Sequence, residues 1–131
     1  MPTHNETQKR NVLLVEDDEF LRDLLARKLE IKNFEVGIAK DAETALLAIE
    51  KRIPDLILLD LILPGMSGFE LIAKLRQEDA TATIPFMVLS NSAETQNKRE
   101  SADLGAAGYL VKAQSTPAEI VGAIEAWFDT R

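Results

Sequence analysis

Five short apolar runs alternate strictly with five stretches of helical periodicity, and that alternation limits the fold more than any other feature of the chain. The runs are "NVLLV" (Asn11–Val15), "FEVGI" (Phe34–Ile38), "DLILL" (Asp55–Leu59), "FMVLS" (Phe86–Ser90) and "GYLVK" (Gly108–Lys112). Between and after them come "DDEFLRDLLARKLEIKN", "AETALLAIEKR", "FELIAKLRQ", "SAETQNKRESADLG" and "TPAEIVGAIEAWF". A helix between each pair of strands implies parallel pairing, with helices covering both faces of the sheet. Right-handed crossovers follow. The expected class is α/β: a doubly wound five-stranded parallel sheet with five helices.

Local chemistry agrees with this division. In the first helix Phe20, Leu21, Leu24, Leu25, Lys28 and Leu29 recur at helical spacing, acids fill the first turn, and Asn33 is a C-terminal stop. "FEVGI" sets Phe34, Val36 and Ile38 against Glu35 and Gly37, which reads as an edge strand with one exposed face. Asp41 is an N-cap, and Pro85 is tolerated where a strand begins. The last helix opens on a capping box, with Thr116 as N-cap, Pro117 first in the helix and Glu119 closing the box. Trp127 and Phe128 are expected to close the core beneath it.

Composition removes several classes of function. The chain has 131 residues and an apolar content of 46%, ample for one core. The absence of Cys excludes disulfides, a thiolate nucleophile and a Cys-based zinc site. A net charge of −7 argues against direct binding to nucleic acid or to an anionic membrane. The tail "MPTHNETQKR" (residues 1–10) lacks the apolar stretch of a secretory signal, and no apolar run is long enough to span a bilayer. The reading is a cytoplasmic protein with a polar tail, one domain over residues 11–129 and no output domain. His4, the only His, lies in the tail and receives no role.

In a sheet of this kind the working crevice lies outside the carboxyl ends of the strands. The first strand there runs into Glu16, Asp17 and Asp18, and the third into Asp60, which interrupts the otherwise apolar run Leu56–Leu63. The fourth ends in Ser90, Asn91 and Ser92, and the fifth in Lys112. Carboxylates about 5 Å apart repel by roughly 3 kcal/mol per pair at an effective dielectric near 20. Left alone, one would take up a proton; a divalent cation reverses that. Mg²⁺ suits one or two carboxylates, waters and a phosphate oxygen. Lys112 and Ser90 then face a second anion, and a phosphoryl group bridging metal and Lys fits. Asp60 can act as the nucleophile that becomes an aspartyl phosphate. Mg²⁺, Lys112, the Ser90 hydroxyl and the Asn91 backbone N–H would neutralise and hold the transferring group.

The pattern "VLLVEDD…LLDLILPGMSG…MVLSNS…GYLVK" resembles the receiver domain of two-component response regulators, over Asn11 to Phe128. What carries the resemblance is the combination: an acidic pair, Asp followed four residues on by Pro and eight on by Gly, a hydroxyl after the fourth strand, and Tyr three before Lys. The family carries the sheet order 2-1-3-4-5. The resemblance implies that Asp60 is the phosphoacceptor. Glu16 and Asp17, joined by Asp60 and the Ile62 backbone carbonyl, would hold Mg²⁺, with Mn²⁺ as a substitute. Ser90 and Tyr109 would form the switch pair, and Lys112 would meet the phosphoryl oxygens. The donor would be a phosphohistidine on a sensor histidine kinase or phosphotransfer protein. A downstream protein would dock on the face of the fourth helix, fifth strand and fifth helix.

Two residues depart from the family. Ala113 stands where Pro, joined by a cis bond, usually follows the Lys. A non-proline cis bond costs about 2.5–4 kcal/mol, so the loop "KAQST" is either trans or strained, and the placement of Lys112 turns on which. Asn91 is larger than the usual residue after the switch hydroxyl and would crowd the phosphoryl group; acyl-phosphate lifetime in Asn91→Ala tests this. Three other functions compete. A phosphohydrolase with an Asp nucleophile typically needs a second Asp two residues on, where Ile62 stands. A flavodoxin-like binder needs a phosphate loop after the first strand, where acids stand instead. A docking module that is never phosphorylated is favoured only by Ala113. Taken singly, Asp18 and Glu19 read as helix-start acids, Ser90 as a turn hydroxyl and Tyr109 as a packing residue; joint spacing is what gives the set its meaning.

Overall fold

The computed structural model describes residues 9–131, so His4 and most of the polar tail lie outside the described residues. The strands are β1 (Asn11–Val15), β2 (Glu35–Ala39), β3 (Leu56–Leu59), β4 (Phe86–Ser90) and β5 (Gly108–Val111). The helices are α1 (Glu19–Ile31), α2 (Ala42–Lys51), α3 (Gly68–Arg76), α4 (Thr95–Asp103) and α5 (Pro117–Asp129). All strand pairs are parallel, in the order β2-β1-β3-β4-β5. The expected α/β fold and sheet order are both present.

The period-two alternation of the strands sorts the core into two layers. Leu13, Val15, Ile57, Leu59, Phe86 and Val88 face α2 and α3, meeting Ala45, Ile49, Leu71 and Ile72. Val12, Leu14, Leu58, Met87 and Leu89 face α1 and α5, meeting Leu25, Leu29, Ile120 and Ile124. Burying each large aliphatic side chain contributes about 1.5–3 kcal/mol, so β1, β3 and β4, covered on both faces, anchor the sheet. Helix ends follow the sequence signals. Asp18, Asp41, Ser67 and Thr116 each accept a backbone N–H as N-caps, and Ser67 with Glu70 forms a second capping box. Asn33 adopts φ 71°, the left-handed stop expected of it.

Several details differ from the sequence reading. Phe20 is 79% exposed, because the first turn of α1 stands at the carboxyl edge of the sheet with no layer to cover it. Ile38 is 47% exposed, since the edge strand outruns its cover at that end. Asp55 precedes β3, its carboxylate accepting the Asn11 N–H at 2.7 Å. Helix α4 begins at Thr95, three residues later than its polar sequence implies. Lys112 opens a single 3₁₀ turn, Lys112–Gln114, after β5 has ended. Every peptide bond among the described residues is trans, including Lys112–Ala113. Phe128 is buried, its ring 5.4 Å from that of Phe34, while Trp127 packs edge-on against it, half-buried.

Candidate functional site

The sheet ladder runs one residue past the strands and thereby places two carboxylates. The Glu16 N–H donates to the Ala39 carbonyl and the Asp60 N–H to the Val15 carbonyl, each at 3.0 Å. Glu16 and Asp60 consequently stand side by side, 4% and 6% exposed. Beyond Asp60 the chain must turn at once into α3, and Gly68 makes that turn fit. A Cβ at Gly68 would lie 2.5 Å from the Asp60 carbonyl oxygen and 2.9 Å from the Leu61 Cα. The Gly68 N–H bonds the Leu61 carbonyl at 2.9 Å. The spacing of Asp and Gly eight apart is therefore a packing requirement of the loop that carries the acid.

One cation ties the carboxylates together. Lys112 Nζ lies 2.6 Å from Glu16 Oε1 and 2.7 Å from Asp60 Oδ2. Glu16 Oε2 accepts the Asp18 N–H at 3.1 Å, and Asp60 Oδ1 accepts the Ile62 N–H at 3.1 Å. Asp17 is exposed at the rim. One oxygen from each of Glu16, Asp17 and Asp60 lies within 4.8 Å of the others. Burial pushes the Glu16 carboxyl up from its ordinary value, and the Lys112 and Asp18 hydrogen bonds offset that only in part. Burial opposes the Lys112 charge, but its bonds to Asp60 and Glu16 outweigh this and raise its pKa. The ammonium is thus firmly charged, balancing a pocket of excess negative charge. Three oxygen-donor acids converging at a half-open rim fit a hard divalent cation that retains waters.

The neighbouring strand end carries the hydroxyl. Ser90 is fully buried and pairs in register with Val111, the residue before Lys112. Its Oγ accepts the Ser92 N–H at 3.3 Å. Tyr109 reaches the same loop, its hydroxyl donating to the Ser92 carbonyl at 2.6 Å. Asn91 and Ile62 are exposed, Ile62 by 71%. Glu16, Asp17, Asp60 and Lys112 are thus gathered in one cluster, with Ser90 beside it and Tyr109 tied to it through Ser92. Arg22 belongs to the same region: its guanidinium donates to the Glu16 carbonyl at 3.4 Å. In sequence it looks like any charged helix residue.

Residues 12–125 match the family model of the response regulator receiver domain. The chain belongs to the response regulator receiver family. It is 37% identical over 117 residues to the phosphate regulon transcriptional regulatory protein PhoB of Pseudomonas aeruginosa, an alignment covering 89% of this chain and 51% of that one. The chain spans about half the length of the curated relatives it matches. The structure resembles chemotaxis protein CheY4 of Vibrio cholerae, with a TM-score of 0.83 and 28% identity over 91% of this chain and 98% of the other. It also resembles the Mn(2+)-bound response regulator Rcp1, with a TM-score of 0.80 and 28% identity over 91% and 94%. This receiver is a two-component signalling domain, a class that binds divalent metal and works with histidine kinases, and its acidic pocket is consistent with a phosphoacceptor site. Among the described residues no helix is long and apolar enough to cross a membrane.

Proposed function

We propose that residues 11–129 act as a phosphoryl-accepting switch with Asp60 as the acceptor. The observation that carries this reading is Lys112 bridging Asp60 and Glu16 at the strand ends, with Asp17 beside them. A lysine held 2.7 Å from Asp60 stands ready to meet oxygens of a group attached there, and it does so with Ala113 following in trans. The departure from the family's Pro therefore does not displace it.

In the proposed reaction an Asp60 carboxylate oxygen attacks the phosphorus of a phosphohistidine on a sensor kinase or phosphotransfer protein. The new O–P bond forms as the N–P bond breaks, and the electron pair stays on the imidazole nitrogen, which then takes up a proton. Glu16, Asp17, Asp60 and the Ile62 carbonyl would hold Mg²⁺ or Mn²⁺, which when bound offsets the charge of carboxylates and phosphoryl oxygens. Lys112, the Ser90 hydroxyl and the Asn91 N–H face the remaining oxygens. Hydrolysis, by attack of water on phosphorus, returns the free carboxylate and inorganic phosphate. Asn91 narrows the approach of that water, so Asn91→Ala shortens the acyl-phosphate lifetime. A turn of Ser90 toward the phosphoryl group alters its bond to Ser92, and with it the seat of Tyr109. The face of α4, β5 and α5 then presents the change to a downstream protein.

The test is incubation with acetyl phosphate and Mg²⁺ followed by intact-mass measurement. A gain of one phosphoryl group in the wild type, lost in Asp60→Asn, is expected. No gain in the wild type would overturn the reading and favour a docking module.

A further inference from the structure

The acidic site has a second cation, and it does not come from a strand end. Arg22 lies four residues past the α1 N-cap Asp18, near the helix end where positive charge is disfavoured. A surface arginine there would extend into water. Instead the Arg22 side chain is only 13% exposed and runs back beneath the β1–α1 turn. It lines a cavity of about 10 Å³ with Glu16, Asp60, Leu14, Leu58 and Leu89.

Its hydrogen bonding is incomplete. Nη1 donates to the Glu16 main-chain carbonyl at 3.4 Å. The buried Nε has no hydrogen-bond acceptor among the described residues, and lies 3.6 Å from a half-exposed carboxylate, that of Asp23. A desolvated guanidinium with a spare donor is unfavourable, and packing against leucines alone would be served as well by Met. The group it touches is the informative part. The Glu16 carbonyl belongs to the peptide joining Glu16 to Asp17, so whatever holds it orients both carboxylates.

We propose that Arg22 is a positioning residue of the acidic site. By gripping the Glu16 carbonyl from below, it fixes the β1–α1 turn and the placement of Glu16 and Asp17 against Asp60. This rests on reading that cluster as a divalent-cation site. Two effects of Arg22 on a cation have opposite signs. As a nearby positive charge it repels metal; as a support for the ligands it favours metal. The sign of the change on its removal therefore separates positioning from charge.

The experiment titrates Mg²⁺ and Mn²⁺ calorimetrically into the full chain as wild type, Arg22→Lys and Arg22→Met, with a melting curve of each metal-free protein. Arg22→Met keeps an apolar stem and loses charge and donors. Its metal affinity is expected to fall about tenfold, the effect usual for supports behind metal ligands, even though a repelling charge is gone. Arg22→Lys keeps the charge and one short donor and is expected to fall between the two. Equal or tighter metal binding by Arg22→Met overturns the proposal, and a purely packing role would lower the melting temperature without that order of affinities. Should Arg22→Met fail to fold, Arg22→Lys decides alone: weaker binding than wild type supports positioning, and unchanged binding overturns it. Absence of metal binding by the wild type would instead overturn the site reading on which the proposal stands.

Discussion

Helices α4 and α5 bracket β5 in the chain and are held in opposite ways. Helix α5 buries Ile120, Val121, Ile124 and Phe128 in the core and starts on a complete capping box. Helix α4, "TQNKRESAD", buries one residue, Ser101, and its N-cap Glu94 makes no side-chain capping bond. Its ties are polar. Asn97 donates to the Ser92 hydroxyl at 2.7 Å, and Lys98 Nζ sits 5.9 Å from the centre of the Tyr109 ring. The core fixes α5, whereas α4 hangs from the loop that follows Ser90. Polar, surface-bound elements open at lower free energy than core elements. A change at Ser90 is therefore expected to reach α4 before α5.

The largest expected effect falls on α5. Ile124 is fully buried, and Ile124→Ala should cost about 2–5 kcal/mol in urea unfolding. The matching truncation on α4, Arg99→Ala, should stay within about 0.5 kcal/mol. Comparable losses from the two would break the contrast. Next in size is the α5 cap: Thr116→Ala should cost about 1 kcal/mol. Glu94→Ala at the equivalent place on α4 should cost little, having no capping bond to lose. Smaller again globally is Ser92→Ala, which removes the hydroxyl that accepts from Asn97 and from the Glu94 N–H. Its cost should be under about 1 kcal/mol, in the lower part of the range for an intramolecular hydrogen bond. Amide exchange sharpens the comparison here: α4 amides should exchange faster in Ser92→Ala while those of Ile120 to Ile124 keep wild-type protection.

Much of this is legible in the sequence, for reasons specific to each residue. The strands that carry the site are apolar runs, and Asp60, Ser90 and Lys112 are visible because each ends or interrupts one. The capping box at Thr116 is spelled out locally as Thr-x-x-Glu, whereas the Ser-x-x-Glu at Ser67 is passed over when the third helix is read from Phe69. Phe20 misleads because helical periodicity describes the helix and not the extent of the layer beneath it. Gly68 shows its purpose only when its absent Cβ is placed against the Asp60 carbonyl. Arg22 is the least readable: an arginine amid the acids of α1 has the look of a solvated charge, and only the fold turns it under Glu16. The reach of Lys112 past Ala113 is likewise a matter of backbone path, which pattern alone does not specify.

The smallest expected effect concerns the α5 capping box in acid. Glu119 Oε1 accepts the Thr116 N–H at 2.8 Å, and its backbone hydrogen bonding at Thr116 holds the carboxyl below its ordinary range. A carboxyl depressed in the folded state stabilises that state above its unfolded pKa, and the contribution disappears as pH falls through the folded value. The window is therefore acidic, below about pH 4.3 for an ordinary Glu. Glu119→Gln carries no such charge. The stability gap between wild type and Glu119→Gln should be constant from pH 7 to about 5 and should narrow as pH falls below about 4. A gap for Glu119→Gln that widened on acidification would mean that the box is held by something other than the ionised carboxylate. The contrast between the capped and the uncapped helix would then rest on burial alone.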